Sequence, residues 1–145
     1  MNAMRGADGA ALALRPPASR SAMSLAEQAR TLLADAQVAP NAAERFRLAH
    51  LAALRTAAAV FAERSRPGLG KRRLVSAWVL VESVAPELSD WAAYFADTAG
   101  KRAAVEAGAV SVVSSRDAED QLRAAEQFLA LAEQSLGFMA APLAS

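Results

Sequence analysis

Near the end of the chain, Ala118, Leu122, Ala125, Leu129, Ala132 and Leu136 recur at alternating spacings of four and three. That rhythm keeps apolar side chains on one side of an α-helix, and it is the seam by which antiparallel helices pack into a bundle. Phe128 and Leu131 are expected to widen the seam into a core-facing band. Ser114 or Ser115 begins the helix, and Asp117, Glu119 and Asp120 place negative charge in its first turn, where it suits the exposed amide dipoles. One such stripe cannot bury itself, so the chain must supply facing helices.

It does so with alanine, the best helix former, which makes up about a quarter of the 145 residues. Residues 1–22 carry no sustained period and contain Pro16-Pro17, so they are expected to form a disordered extension. From Ser24, with Glu27 three residues on, Leu25, Ala29, Leu32 and Ala36 predict a helix over about 24–38, stopped by Pro40. Asn41 caps a second helix reaching about Ser65. It has two adjoining stripes, Phe46, His50, Ala53, Ala57 and Val60 beside Leu51, Leu54, Ala58 and Phe61, which makes it the central helix. Arg66-Pro67-Gly68-Leu69-Gly70 breaks it. A third helix is expected over about Leu74–Ala85, anchored by Trp78, Val81 and Val84. Pro86 either ends or kinks it before Leu88, Trp91, Phe95 and Ala99 resume a helical face as far as about Ala107. Gly108 terminates that run, and Val110, Val112 and Val113 read as an extended connector without a partner strand. The fold expected is all-α, a compact bundle of four to five antiparallel helices over 23–138 followed by a tail at 139–145.

Composition removes several function classes. The absence of cysteine excludes disulfides, thiolate nucleophiles and zinc–cysteine sites, and a chain of this size without covalent staples is expected in the cytoplasm. No apolar run approaches the roughly 18 residues of a membrane span. Glu82, Glu87, Asp90 and Asp97 lie on different faces or across Pro86 with no histidine beside them, so neither a metal site nor a cofactor is expected. Gly68-Leu69-Gly70-Lys71-Arg72 follows a helix rather than a strand and lacks the Ser/Thr of a phosphate-binding P-loop.

The stretches AHLAALRTAAAVFAERSR (49–66), SAWVLVESVAPELSDWAAYFADTAGKRAA (76–104) and SRDAEDQLRAAEQFLALAE (115–133) resemble a bacterial branch of the HEPN family. The resemblance spans about residues 24–137 and rests on helix order and on the tryptophan and alanine pattern. It implies a four- or five-helix bundle, often a homodimer. Many HEPN members are RNA-cleaving toxins or defence proteins carrying an arginine, four to six residues, and then a histidine. Others lack that motif and bind nucleotides, RNA or proteins.

Arg45 and His50, with four residues between them, satisfy that spacing. On a continuous helix, however, residues five apart stand about 140° apart around the axis and do not converge on one phosphate. Arg47 and His50, three apart, share a face on which an imidazole could exchange a proton while a guanidinium holds a phosphate. The resemblance also implies that an active motif belongs near the later helices, where Ala99-Gly100-Lys101-Arg102-Ala103-Ala104 supplies an arginine and no histidine. The simpler reading of His50 is a partly buried core or interface residue with one satisfied hydrogen bond, in line with Phe46, Ala53 and Ala57.

A second group is basic. Arg64, Arg66, Lys71, Arg72 and Arg73 fall within ten residues with no acid between them, a pattern able to neutralise phosphates and equally natural for a solvated turn. Residues 114–145 hold five acids against two arginines, an asymmetry that could orient a subunit or partner. Trp78, Trp91, Tyr94 and Phe95 read as core or dimer contacts ahead of a base-stacking platform. The expectation is a non-catalytic binding module for RNA, a nucleotide or a protein. The alternatives are a metal-independent ribonuclease using His50 with Arg47 or Arg45 at a dimer interface, and a structural adaptor acting through the last helix.

Overall fold

The computed structural model describes residues 19–64 and 76–137. Among them are five α-helices and no strand: α1 (Arg20–Gln37), α2 (Ala42–Arg64), α3 (Ala77–Val84), α4 (Ser89–Glu106) and α5 (Ser115–Leu136). Single 3-10 turns at Pro86–Leu88 and Val110–Val112 precede α4 and α5. This is the all-α bundle expected. Residues 1–18, the turn at 65–75 and the tail from 138 lie outside the described residues.

The central helix is α2, which packs most extensively against α1 and α5 and also touches α3 and α4. None of its residues is fully exposed. The Phe46, His50, Ala53, Ala57 and Val60 stripe is buried, and the Leu51, Leu54, Ala58 and Phe61 stripe is half-buried. Alanine is what permits this. Ala22, Ala26, Ala29 and Ala36 of α1, with Ala49, Ala52, Ala53 and Ala57 of α2, present only methyl groups at buried positions, and small contact residues shorten the distance between helix axes. An aromatic cluster fills the wider space among α2, α3, α4 and α5. Trp78 stacks on Phe95 with ring centroids 5.4 Å apart, and Phe95 meets Phe128 at the same separation.

Local chemistry explains most helix ends. The Asn41 side chain accepts from the Glu44 amide at 2.9 Å, as expected of a cap. Pro86 ends α3 outright, because the residue before a proline is driven out of the helical region and Ala85 sits at φ −144°. Gly108 stops α4 at φ +102°, a conformation that costs an L side chain dearly. Ser114 and Asp117 form a reciprocal capping box at the start of α5, each side chain accepting the other's amide at 3.0 Å.

Three expectations need correction. Helix α1 begins at Arg20 rather than Ser24, so residues 19–22 are not part of a disordered extension. The Ser19 hydroxyl accepts from the Ala22 amide at 3.1 Å, the Ser19 amide donates to Glu63 on α2 at 2.8 Å, and Ala22 is fully buried. The valine connector is extended only at Val113, while Val110–Val112 close a turn through the Val112 amide and the Ala109 carbonyl at 3.3 Å. With no neighbouring strand, a local hydrogen bond is the available one. Leu131 does not join the core band. It stands about 140° from the centre of the α5 seam and is 39% exposed, whereas Ala118, Leu122, Ala125, Phe128, Leu129 and Ala132 are buried as expected.

Candidate functional site

His50 sits in the middle of α2 with no exposed surface. Its Nε2 lies 3.0 Å from the backbone carbonyl of Phe95 on α4. A carbonyl only accepts, so Nε2 carries the proton and Nδ1 presents a lone pair. Trp78 and Phe95 each stand in T-shaped contact with the imidazole, with centroids 5.9 Å away and interplanar angles of 79° and 78°. Burial pushes the imidazole pKa below its ordinary value. The Phe95 carbonyl and Glu106 act the other way, and the positive charge of Arg102 adds to the lowering. The ring is therefore neutral at pH 7.

The Phe95 carbonyl also accepts from the Thr98 hydroxyl at 3.3 Å, and Thr98 Oγ1 accepts from the Gln121 side-chain amide at 3.0 Å. A polar thread thus runs from α2 through α4 to α5 inside an otherwise apolar interior. Gln121, fully buried, was not singled out in the sequence, where it reads as one polar letter between Asp120 and Leu122. Among the described residues three buried side-chain atoms lack a hydrogen-bond partner: His50 Nδ1, Arg102 Nε and Gln121 Oε1.

The arginines expected to accompany His50 point to other duties. Arg45 closes the C-terminal end of α1: its Nε donates to the Ala36 carbonyl at 3.0 Å, its Nη2 to the Ala39 carbonyl at 3.4 Å, and its Nη1 meets Glu119 of α5 at 3.4 Å. Arg47 forks onto Glu44 at 2.6 and 3.1 Å, which holds the Glu44 carboxyl below the usual range and raises the guanidinium. The arginine that does bear on His50 is Arg102, from α4, whose Nη1 meets Glu106 at 2.9 Å. Arg102 and His50 are far apart in sequence, so no spacing rule links them. The signal available was the arginine that the family resemblance placed in this later helix.

The basic group divides in the same way. Arg64 is a clamp, donating to the Val84 carbonyl, to the Ser135 carbonyl and to Ser135 Oγ at 3.1–3.3 Å, and pairing with Glu87 at 2.6 Å. The Ser135 hydroxyl, which donates to Glu87, and Arg64 together hold the Glu87 carboxyl below its ordinary range. Arg66, Lys71, Arg72 and Arg73 lie outside the described residues, as does the 68–72 segment. No group of three or more potential ligands among the described residues is placed to hold a metal ion.

The aromatics separate by role. Trp78 and Phe95 are core, as expected, but Trp91 and Tyr94 are half-buried on the outer side of α4. With Asp90 they form one wall of a cavity of about 370 Å³, and Asp120, Arg123 and Gln127 of α5 line the other side. Burial raises the Tyr94 hydroxyl pKa, and the negative charges of Asp120 and Asp117 add to it.

No described helix is long and apolar enough to cross a membrane. Comparison with curated proteins and with solved structures returns no significant match. The HEPN_SAV_6107-like HEPN family model matches residues 34–133, well over half of the chain, from the last turns of α1 to the last turn of α5. The all-α bundle and the extent of this match together make the chain a member of the HEPN family.

Proposed function

We propose that this HEPN domain is a non-catalytic binding module whose ligand is a protein. The observation that carries the reading is the enclosure of the only imidazole. His50 has no exposed surface, spends its one N–H on a backbone carbonyl and stands nearly perpendicular to two aromatic rings. A general acid or base must come within hydrogen-bond reach of the substrate proton, and this ring has no open side from which to do so. Arg45, Arg47 and Arg64 are bonded to carbonyls and carboxylates of their own fold, which leaves little of their charge for a phosphate. What the described surface does offer is an aromatic groove whose rim carries two carboxylates and one arginine, a lining without the cluster of cations a phosphate backbone needs and suited to a polypeptide.

The test uses tag-free protein, labelled single-stranded RNA and EDTA. No cleavage is expected. Cleavage that disappears in a folded His50→Gln variant overturns the reading in favour of the ribonuclease. The RNA-binding alternative draws on Arg66, Lys71, Arg72 and Arg73, and it predicts affinity that falls steeply with salt and weakens in Arg72→Ala and Arg73→Ala. HEPN domains commonly dimerise, and a homodimer is proposed here as well, to be checked by sedimentation velocity.

A further inference from the structure

The groove between α4 and α5 has features that specify an occupant. Its aromatic wall is rigid: Trp91 stacks on buried Phe128 with centroids 6.4 Å apart and planes 23° from parallel, and Tyr94 stands edge-on to buried Phe95 at 5.1 Å. Aromatic faces held from behind can receive a flat cation without losing freedom of their own. The carboxylates at the mouth are weakly engaged. Among the described residues Asp90 has no ion pair, and the cations nearest Asp120 are Arg116 at 4.0 Å and Arg123 at 3.8 Å, both on largely exposed side chains. Pairs this long and this solvated contribute little. Arg123, also in the lining, is the neighbour of Asp120 three residues on along the same helix, and its long, exposed pair leaves the carboxylate open to a better-placed guanidinium.

Along α5 the same face continues. Asp120, Ala124, Gln127 and Leu131 follow one another at spacings of four, three and four, so the wall that begins with a carboxylate ends in an exposed leucine. Leu131 lies about 10–16 Å along the axis from the Asp120–Ala124 stretch, a distance covered by roughly three to five residues of extended chain. A small polyamine would have no use for that apolar end, and a phosphate backbone would find no cluster of free cations at the other, where Asp90 and Asp120 stand.

We propose that this groove docks a basic peptide segment of a partner protein, with an arginine side chain against Trp91 and Tyr94 between Asp90 and Asp120, and an apolar residue three to five positions away on Leu131. Arginine fits better than lysine because a guanidinium both stacks on an aromatic face and offers paired donors to a carboxylate. The proposal rests on the binding-module reading and adds to it the chemistry of the partner.

The experiment titrates the full chain with a blocked, acid-free peptide carrying arginine near one end and leucine four positions later, read by calorimetry and by tryptophan emission. Saturable binding is expected, at least tenfold weaker when citrulline replaces the arginine. Asp90→Asn and Asp120→Asn should each weaken it several-fold, and Leu131→Ser should weaken it while leaving the unfolding temperature in place. Absence of saturable binding, equal affinity for the citrulline peptide, or indifference to both aspartate variants overturns the proposal. So does spermidine that binds as tightly as the peptide and displaces it, because the site would then belong to a small cation. Metal-free RNA cleavage is measured separately, so a failed groove and a failed binding-module reading give different results.

Discussion

A buried neutral imidazole must make the fold sensitive to mild acid. His50 is the chain's one histidine, and its pKa in the folded state lies below the ordinary value of 6.5. The unfolded chain therefore binds more protons than the folded chain as pH falls below about 6.5, and stability rises with pH across that window. The contribution is fully present above the unfolded pKa and is lost as pH falls toward the folded one. If the ring stays neutral throughout, the loss reaches at most about 1.4 kcal/mol at pH 5.5 and about 2 kcal/mol at pH 5. An unfolding entropy of roughly 2.1 cal/mol/K per residue over the described bundle converts the larger figure to about 9 °C in Tm.

The assay is thermal unfolding of tag-free protein at pH 7.5, 6.5, 5.5 and 5.0 at constant ionic strength, with His50→Gln as control. Glutamine keeps an Nε donor for the Phe95 carbonyl and does not titrate. The wild-type curve should fall more steeply than that of the variant, and the difference between the two slopes is the histidine's share. The comparison cancels Glu133, whose carboxyl burial pushes up and whose linkage runs in the opposite direction, losing stability as pH rises through its folded pKa. Equal slopes in the two proteins would mean that the imidazole titrates as freely when folded as when unfolded, and the enclosed-histidine reasoning would fail.

Three further outcomes are expected. Arg45→Met removes a guanidinium that bonds the carbonyls at the end of α1 and meets Glu119, and should cost about 1–2 kcal/mol in urea unfolding. Gly100→Ala and Gly108→Ala should move stability in opposite directions by about 0.5–1 kcal/mol each, read as shifts in Tm: a Cβ meets nothing at either site, but Gly100 is within α4 and Gly108 holds a positive φ. Ser114→Ala dissolves the capping box of α5 and should cost about 1 kcal/mol by the same measurement.

Helix α5 was legible because its instructions are local. Ser114 and Asp117 lie three residues apart, and the seam repeats within a few turns; Gly137, which closes the helix in the left-handed region, is a local signal that was not singled out in the sequence. The start of α1 was misplaced because two serines compete for it: Ser24, with Glu27 three residues on, reads as the cap, whereas Ser19 is the residue that caps the Ala22 amide and is tied by its own amide to Glu63, on another helix. Leu131 shows the limit of hydrophobicity as a guide: its letter says core, whereas its angle on α5 says surface, and angle decides. The chemistry around His50 divides along the same line. That the ring faces the interior followed from its place in the Phe46, Ala53 and Ala57 stripe, but its neighbours Phe95 and Trp78 come from other helices and no sequence spacing could supply them.

The reason His50 is kept at the centre of an alanine-rich helix follows from what the site would cost without it. Thr98 and Gln121 already bring polar groups between α4 and α5, and their thread ends at the Phe95 carbonyl. An apolar side chain in place of His50 would leave that carbonyl with the Thr98 hydroxyl but one fewer donor facing the interior, and a lost hydrogen bond of this kind costs about 1 kcal/mol. An imidazole supplies that donor while its ring packs nearly perpendicular to Trp78 and Phe95. The same arrangement fixes the proton on Nε2 and depresses the pKa, so the properties that make His50 a sound interior residue are those that keep it from serving as an acid–base catalyst at the surface. His50→Gln should accordingly keep most of the stability at pH 7.5, and His50→Leu, with no donor to offer, should lose more.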